Sequence, residues 1–141
     1  MYKEIADTIL ATLKANATLK KEIRAWYFGE HDIRKPNTRY PFIDVKWIGG
    51  PVTKLKTGAV ITRRKIGFQI RVIAQHYDED KAEKKVMELT ELIESIFDVD
   101  QTLGGTVVTS TITDIISDSI PIGGYSVVGS ATTFIVKRRL S

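Results

Sequence analysis

The chain has 141 residues, 43% of them hydrophobic and 27% charged, a balance that suits one globular domain (residues 1–141) with a real core and argues against disorder. It contains no cysteine, which excludes disulfides, thiolate chemistry and cysteine metal sites within it. No apolar run approaches the roughly 18 residues of a membrane helix, and the first residues lack a signal-peptide pattern, so we expect no membrane partner. The net charge of +4 permits contact with nucleic acid or an acidic protein surface and requires neither.

The first third of the chain predicts helices followed by short strands. Residues 2–15 place apolar side chains at helical spacing, and Asn16 is a suitable cap for a further short turn of helix over Leu19–Ile23. Ala25–Phe28 reads as a short strand. Tyr40–Ile48 alternates apolar and polar residues, which predicts a second strand. A polar connector, Glu30–Arg39, joins the two strands.

The connection that follows is long, basic and punctuated by glycine. Val52–Arg64 exceeds the two to five residues of a common hairpin loop. Two interpretations stay open: a solvated loop, or an arm that orders against a neighbouring subunit or another partner. The residues that we name as candidate arm or partner contacts are Lys54, Lys56, Arg63 and Arg64.

The middle of the chain carries the strongest periodic signals. Lys65–His76 alternates apolar and polar residues and predicts a strand with one core face. Asp78 is a suitable N-cap for an amphipathic helix, Lys81–Phe97, whose first turn is acidic. Its apolar face carries Ala82, Val86, Leu89, Leu92, Ile93, Ile96 and Phe97. Of these we single out Leu89, Leu92 and Ile96 as residues of the core.

Two further strands are predicted near the end of the chain, at about 105–116 and 124–138, after a Gly104-Gly105 turn and separated by Pro121 and Gly123-Gly124. The element order is then α-β-β-β-α-β-β. This order predicts an α+β domain with a mainly antiparallel sheet of four to five strands and two helices packed on one face. We also expect strands that follow one another in sequence to pair antiparallel.

Side chains suited to chemistry do not form a recognisable motif. His31 and His76 share no ligand spacing, and Asp78–Asp80 is accounted for by a helix start. There is no nucleophile elbow and no phosphate-binding loop. Lys65–Ile70 loosely resembles an RNA-recognition strand, but Phe68 lies between apolar residues on its own face and is expected in the core. We therefore expect no catalytic residue, no metal site, no cofactor and no enzyme activity.

Taken together, the pattern resembles the phage tail terminator proteins, small α+β subunits of the tail neck. The resemblance is architectural and covers most of the chain. The features that carry it are the N-terminal helix, Tyr40–Val45 opening a strand, the long connection into Lys65–His76, the helix Lys81–Phe97 with the acidic stop Asp98–Asp100, and Thr102–Gly105 leading into a strand.

The resemblance implies a non-enzymatic virion protein of the tail or neck, assembled in the host cytoplasm. Such a protein forms a ring, commonly hexameric, that ends growth of the tail tube and joins the tail to the head. Its partners would be further copies of itself, the tail-tube protein, a head-tail connector or stopper protein, and genome DNA that passes through the lumen without sequence-specific binding. Three alternatives stay open: another neck component, such as a head-completion or minor tail protein; a basic nucleic-acid-binding module; and a small enzyme.

Overall fold

A computed structural model describes residues 2–49, 54–57, 60–99 and 109–139, and for 54–57, 60–65, 109–111, 113–114 and 137–139 it describes the backbone alone. These ranges hold three helices and six strands. The helices are α1 (Tyr2–Ala15), α2 (Ala17–Glu22) and α3 (Glu79–Val99). The strands are β1 (Ala25–Phe28), β2 (Phe42–Gly49), β3 (Lys54–Thr57), β4 (Val60–His76), β5 (Thr109–Ile122) and β6 (Tyr125–Arg139).

All six strands belong to one sheet with the order β1-β2-β4-β6-β5, and β3 pairs with β4. Every pair is antiparallel except β1 with β2. The central strand β4 pairs with β6 along its length, from Arg63 opposite Arg139 to His76 opposite Ser126. The predicted α+β fold with a mainly antiparallel sheet is confirmed.

Two expected strand pairings are wrong. β1 runs parallel to β2, because the connection over residues 29–41 is long enough to cross over, whereas an antiparallel pair is usually joined by a tight turn. β5 does not pair with β4, which precedes it in sequence, because β6 lies between them. The tight turn between β5 and β6 makes that pair a hairpin, and Gly123 and Gly124 give the turn its positive φ angles of 56° and 82°.

The main core lies between the helices and one face of the sheet. The apolar faces of α1, α2 and α3 all contribute to it, as do the alternate β4 residues that the sequence placed in the core. At its centre the Phe97 ring lies 4.7 Å from that of Phe134. The buried apolar residues of α3 are Ala82, Val86, Leu89, Ile93 and Phe97. The core position predicted for Leu89 is confirmed, whereas Leu92 and Ile96 are only partly buried, because the helical repeat places Ile93 nearer the centre of the buried stripe.

Some strand and helix ends differ from the predicted ones. β4 begins at Val60 instead of Lys65, and α3 extends to Val99. β5 continues through Pro121 to Ile122, beyond the predicted end near residue 116. A proline is tolerated there because β5 is at the edge of the sheet, where among the described strands it pairs with β6 alone. The predicted Gly104-Gly105 turn and start of a strand near residue 105 lie outside the described residues.

Candidate assembly surfaces

A buried ion pair ties the polar connector to the face of the sheet opposite the helices. Asp44 on β2 is fully buried and accepts hydrogen bonds from Arg71 on β4, the shortest being 2.6 Å from Nη2 to Oδ2. The backbone N–H of His31 also donates to Asp44, at 3.0 Å, and the carbonyl of His31 accepts from Arg71 Nη2 at 2.8 Å. The connector backbone and the two charged side chains thus satisfy one another's hydrogen-bonding groups. The ion pair therefore holds the connector in place.

The side chains that surround this ion pair also have partners. Glu30 accepts a hydrogen bond from Lys46 Nζ at 3.1 Å and lies 3.5 Å from Arg71, and these two cations hold the pKa of Glu30 below its usual range. The His31 ring stacks on Tyr27 with a centroid separation of 3.8 Å. His31 is therefore a packing residue. Among the described residues no group of three side chains is placed to hold a metal ion.

The second histidine marks the junction of β4 and α3. The backbone N–H of Asp78 donates to His76 Nδ1 at 2.9 Å, and Asp78 Oδ1 accepts from the N–H of Asp80 at 3.1 Å. His76 and Asp78 thus satisfy backbone donors at the start of the helix, as the capping interpretation predicts. In the described part of the chain, no helix is long and apolar enough to cross a bilayer.

One polar contact inside the core was not predicted. Thr90 and Ser130 are buried and share a 2.6 Å hydrogen bond that links α3 to β6. The available signal was that Thr90 lies four residues after Val86 on the buried stripe of the helix. Because the two hydroxyls are hydrogen-bonded to each other, the pair fixes the position of α3 on the sheet and offers no reactive group.

The four candidate arm residues lie on a β-hairpin made by β3 and the first residues of β4. Lys54 is opposite Arg64 and Leu55 is opposite Arg63, so the fold brings the four basic positions into two adjacent strands. β6 extends this cluster, because Arg139, Arg138 and Lys137 are opposite Arg63, Arg64 and Lys65. We call residues 54–57, 60–65 and 137–139 the basic end of the sheet. Sequence reasoning missed its β6 members, for which the signal was a Lys-Arg-Arg run near the end of a long predicted strand.

The basic end projects beyond the part of the sheet in which β2 pairs with β4. β2 pairs with β4 only as far as Gly67, and the last described pair of β6 is Arg139 with Arg63. Val60–Thr62 and β3 extend further, and in the described ranges β3 pairs with β4 alone. The basic end holds eight lysines and arginines and no acidic residue, which leaves thirteen basic and seventeen acidic residues elsewhere in the chain.

The opposite charge collects on α3 beside β5. Residues 78–99 and 109–122 contain ten acidic and three basic residues. Along α3, six residues at spacings of three and four share one flank, which we call the acidic stripe. Its members are Asp80, Glu83, Met87, Glu91, Glu94 and Asp98.

Contacts of the neighbouring positions on α3 show which way the acidic stripe faces. Glu79 accepts a hydrogen bond from Ser119 on β5 at 3.0 Å, whereas Lys85, on the other flank of the helix, pairs with Glu22 of α2. The stripe therefore lies on the β5 side of the domain. Among the described side chains, none of its carboxylates forms an ion pair.

Both outer edges of the sheet expose large apolar side chains. On β5, Ile116 is 57% exposed and forms, with Ile73, Ile120 and Val127, part of the wall of a hollow of about 150 Å³ on the face away from the helices. At the opposite edge, Phe28 is 59% exposed and Trp47 51% exposed. The two edges expose different apolar residues, so they offer two different surfaces for association.

No protein-family model matches the chain, and the search of curated proteins finds no match.

Proposed function

We propose that the protein is a structural ring subunit that ends the tail tube of a tailed phage and joins the tail to the head connector. The observation that carries the ring is the polarity of the subunit. One end of its open sheet is basic, the flank of α3 beside β5 is acidic, and the two sheet edges differ. Unlike, complementary surfaces on one chain favour head-to-tail contacts, which close into rings when the rotation allows.

The pairing of the buried polar groups supports a structural role. Asp44 and Arg71 hold the connector in place, and Thr90 and Ser130 hold α3. These groups are satisfied by one another, whereas the unpaired carboxylates and exposed apolar residues of the described chain lie at its surface. The groups that remain without a partner in the described chain thus lie where another molecule would bind.

The phage role rests on the resemblance of the sequence pattern to tail terminators. In this proposal the basic end acts as an assembly arm through Lys54, Lys56, Arg63 and Arg64. The partners are further copies of the chain, the tail-tube protein and a connector or stopper protein, and the genome passes through the lumen. The protein would be part of the virion neck and would act without a cofactor.

The ring is tested by native mass spectrometry and particle imaging of the purified protein, alone and with tail-tube protein. We expect a closed oligomer, hexameric as in the family it resembles, and short tubes capped at one end. A strict monomer under all conditions, including in the presence of tubes, would contradict the proposal. A ring that ignores tube ends but binds a head component would move the protein to another position in the neck.

A nucleic-acid-binding module is the second candidate, and the eight basic residues of the basic end favour it. In a terminator the genome must pass without sticking, so we expect weak, sequence-independent DNA binding that falls steeply as salt rises. Fluorescence anisotropy with duplexes of several sequences, measured over a range of salt concentrations, checks this expectation. Tight and sequence-selective binding at physiological salt favours the module over the ring.

A further inference from the structure

We infer that the β3–β4 hairpin of one copy docks along the outer edge of β5 and the acidic stripe of α3 on the next copy. This inference rests on the proposed ring and names the two surfaces that meet in it. The occupant is a second copy of this chain, because the chain itself supplies both a projecting basic element and an acidic edge.

The backbones of the two strands are suited to pair with each other. β5 is a 14-residue edge strand that pairs with β6 on one side, and among the described residues no strand occupies its other side. β3 likewise has β4 on one side only. Each strand therefore presents alternate N–H and carbonyl groups, and an added strand satisfies both sets by extending the sheet.

The hairpin and the acidic stripe carry opposite charges. The hairpin strands β3 and β4 carry Lys54, Lys56, Arg63, Arg64 and Lys65 within the basic end, whereas the acidic stripe carries five carboxylates without an ion pair among the described side chains. Placing the hairpin against the stripe gives both sets opposite partners. Two copies related by a twofold axis through either surface would face like charges, which is costly. The charges therefore favour a directional contact over a symmetric one.

The surface formed by β5 and the acidic stripe also exposes apolar side chains. Met87, in the middle of the acidic stripe, is 57% exposed, and Ile115 and Ile116 are exposed on β5. The hairpin sequence offers Leu55, Val60 and Ile61 between its basic residues. An apolar centre with a charged rim is the usual composition of a specific interface.

The absence of cysteine from the chain allows a direct test by cross-linking. Thr57→Cys places a thiol on the hairpin and Ser117→Cys places one on β5. We expect a mixture of these two variants, with tube protein present, to form disulfide-linked dimers under mild oxidation. Thr57→Cys mixed with Ala11→Cys, an exposed position on α1, is the matched control and should give background cross-linking only.

Charge exchange supplies a second, independent readout. Glu83→Lys with Glu91→Lys should weaken assembly by about tenfold or more, since like charges then face each other, and Lys54→Glu with Lys56→Glu in the same chain should restore it. Glu88→Lys makes the same kind of change on an exposed α3 residue off the stripe and should leave assembly unchanged.

The outcomes separate this inference from the proposed ring. Rings that form while the Thr57–Ser117 cross-link stays at the level of the Ala11 control overturn the docking assignment and leave the ring standing. Equal loss of assembly for the stripe and Glu88 variants, with no restoration by the hairpin charges, also overturns it. If the parent chain assembles under no condition, both the ring and the docking assignment fail.

Discussion

The body of the sheet and its basic end share one strand but are stabilised differently. Over Ile66–Ala74, β4 is covered by helices on one face and has the Asp44–Arg71 ion pair and the connector on the other. At the basic end the same strand continues into a two-stranded hairpin beside a cluster of positive charge. The comparison teaches that burial determines the residues in the second half of this strand, whereas the basic residues in its first half are, in our proposal, there to bind a partner.

Breaking the buried ion pair should have the largest effect on the body. Asp44→Ala leaves Arg71 without its main partner and is expected to cost about 3–5 kcal/mol of unfolding free energy, measured by chemical denaturation. The double variant Asp44→Ala with Arg71→Met should recover part of that loss, because no uncompensated charge remains. A loss below about 1 kcal/mol for the single variant would show that water or Glu30 replaces the contact.

The helix-covered face is tested at two adjacent positions on α3. Ile93→Ala empties a fully buried site and should cost about 2–5 kcal/mol. Leu92→Ala removes a side chain that is only partly buried, so it should cost clearly less in the same denaturation experiment. Equal losses at both positions would contradict the observed orientation of the helix.

Shortening the basic end should leave the body folded and abolish association. Deleting Thr53–Thr62 removes all of β3 and the first three residues of β4, while every β4 residue from Arg63 onward keeps its β6 partner. We expect a change in unfolding free energy within about 1 kcal/mol, together with loss of ring formation and tube capping in mass and imaging measurements. If the shortened protein assembles as well as its parent, the segment is only a solvated loop.

The smallest expected effect concerns the pH dependence of the body. The pKa of Glu30 is lowered by its hydrogen bond from Lys46 and by the charge of Arg71, so the stabilisation is present above the ordinary value of 4.5 and is lost as the pH falls through the lowered pKa. Glu30→Gln should cost about 0.2–1 kcal/mol near neutral pH, as exposed ion pairs do, and nothing in strong acid. Glu88→Gln is the control, because Glu88 has no ion pair among the described side chains. A loss for Glu30→Gln that persists in strong acid would assign its effect to packing.

Local periodicity was sufficient to predict much of the body. α1 and β1 have their predicted bounds, and the alternation in Lys65–His76 identified the core side of β4. The parallel pairing of β1 with β2 was not predictable in the same way, since neither strand encodes its direction. It follows from the path of the connector, which is held to the sheet by Asp44 and Arg71. These two residues are 27 positions apart in sequence.

The candidate surfaces were predictable only where their residues are contiguous. Lys54, Lys56, Arg63 and Arg64 stand out as a run in the sequence. Lys137–Arg139 joins them only through the register of β6 with β4, and the acidic stripe acquires its meaning from the side of α3 that faces β5. Sequence reasoning thus identified one surface and left its counterpart undefined.

The length of β4 has a mechanical consequence. Its 17 residues span about 55 Å, so a neighbour that pulls on the hairpin pulls on the central strand of the sheet. That pull runs along the strand and loads all fourteen register pairs with β6 together, in shear, instead of opening them one at a time. A slip of one residue would also exchange the buried Ile66, Phe68 and Ile70 for Gly67, Gln69 and Arg71. Tension at the tip of the arm is thereby resisted by the most strongly held strand of the fold.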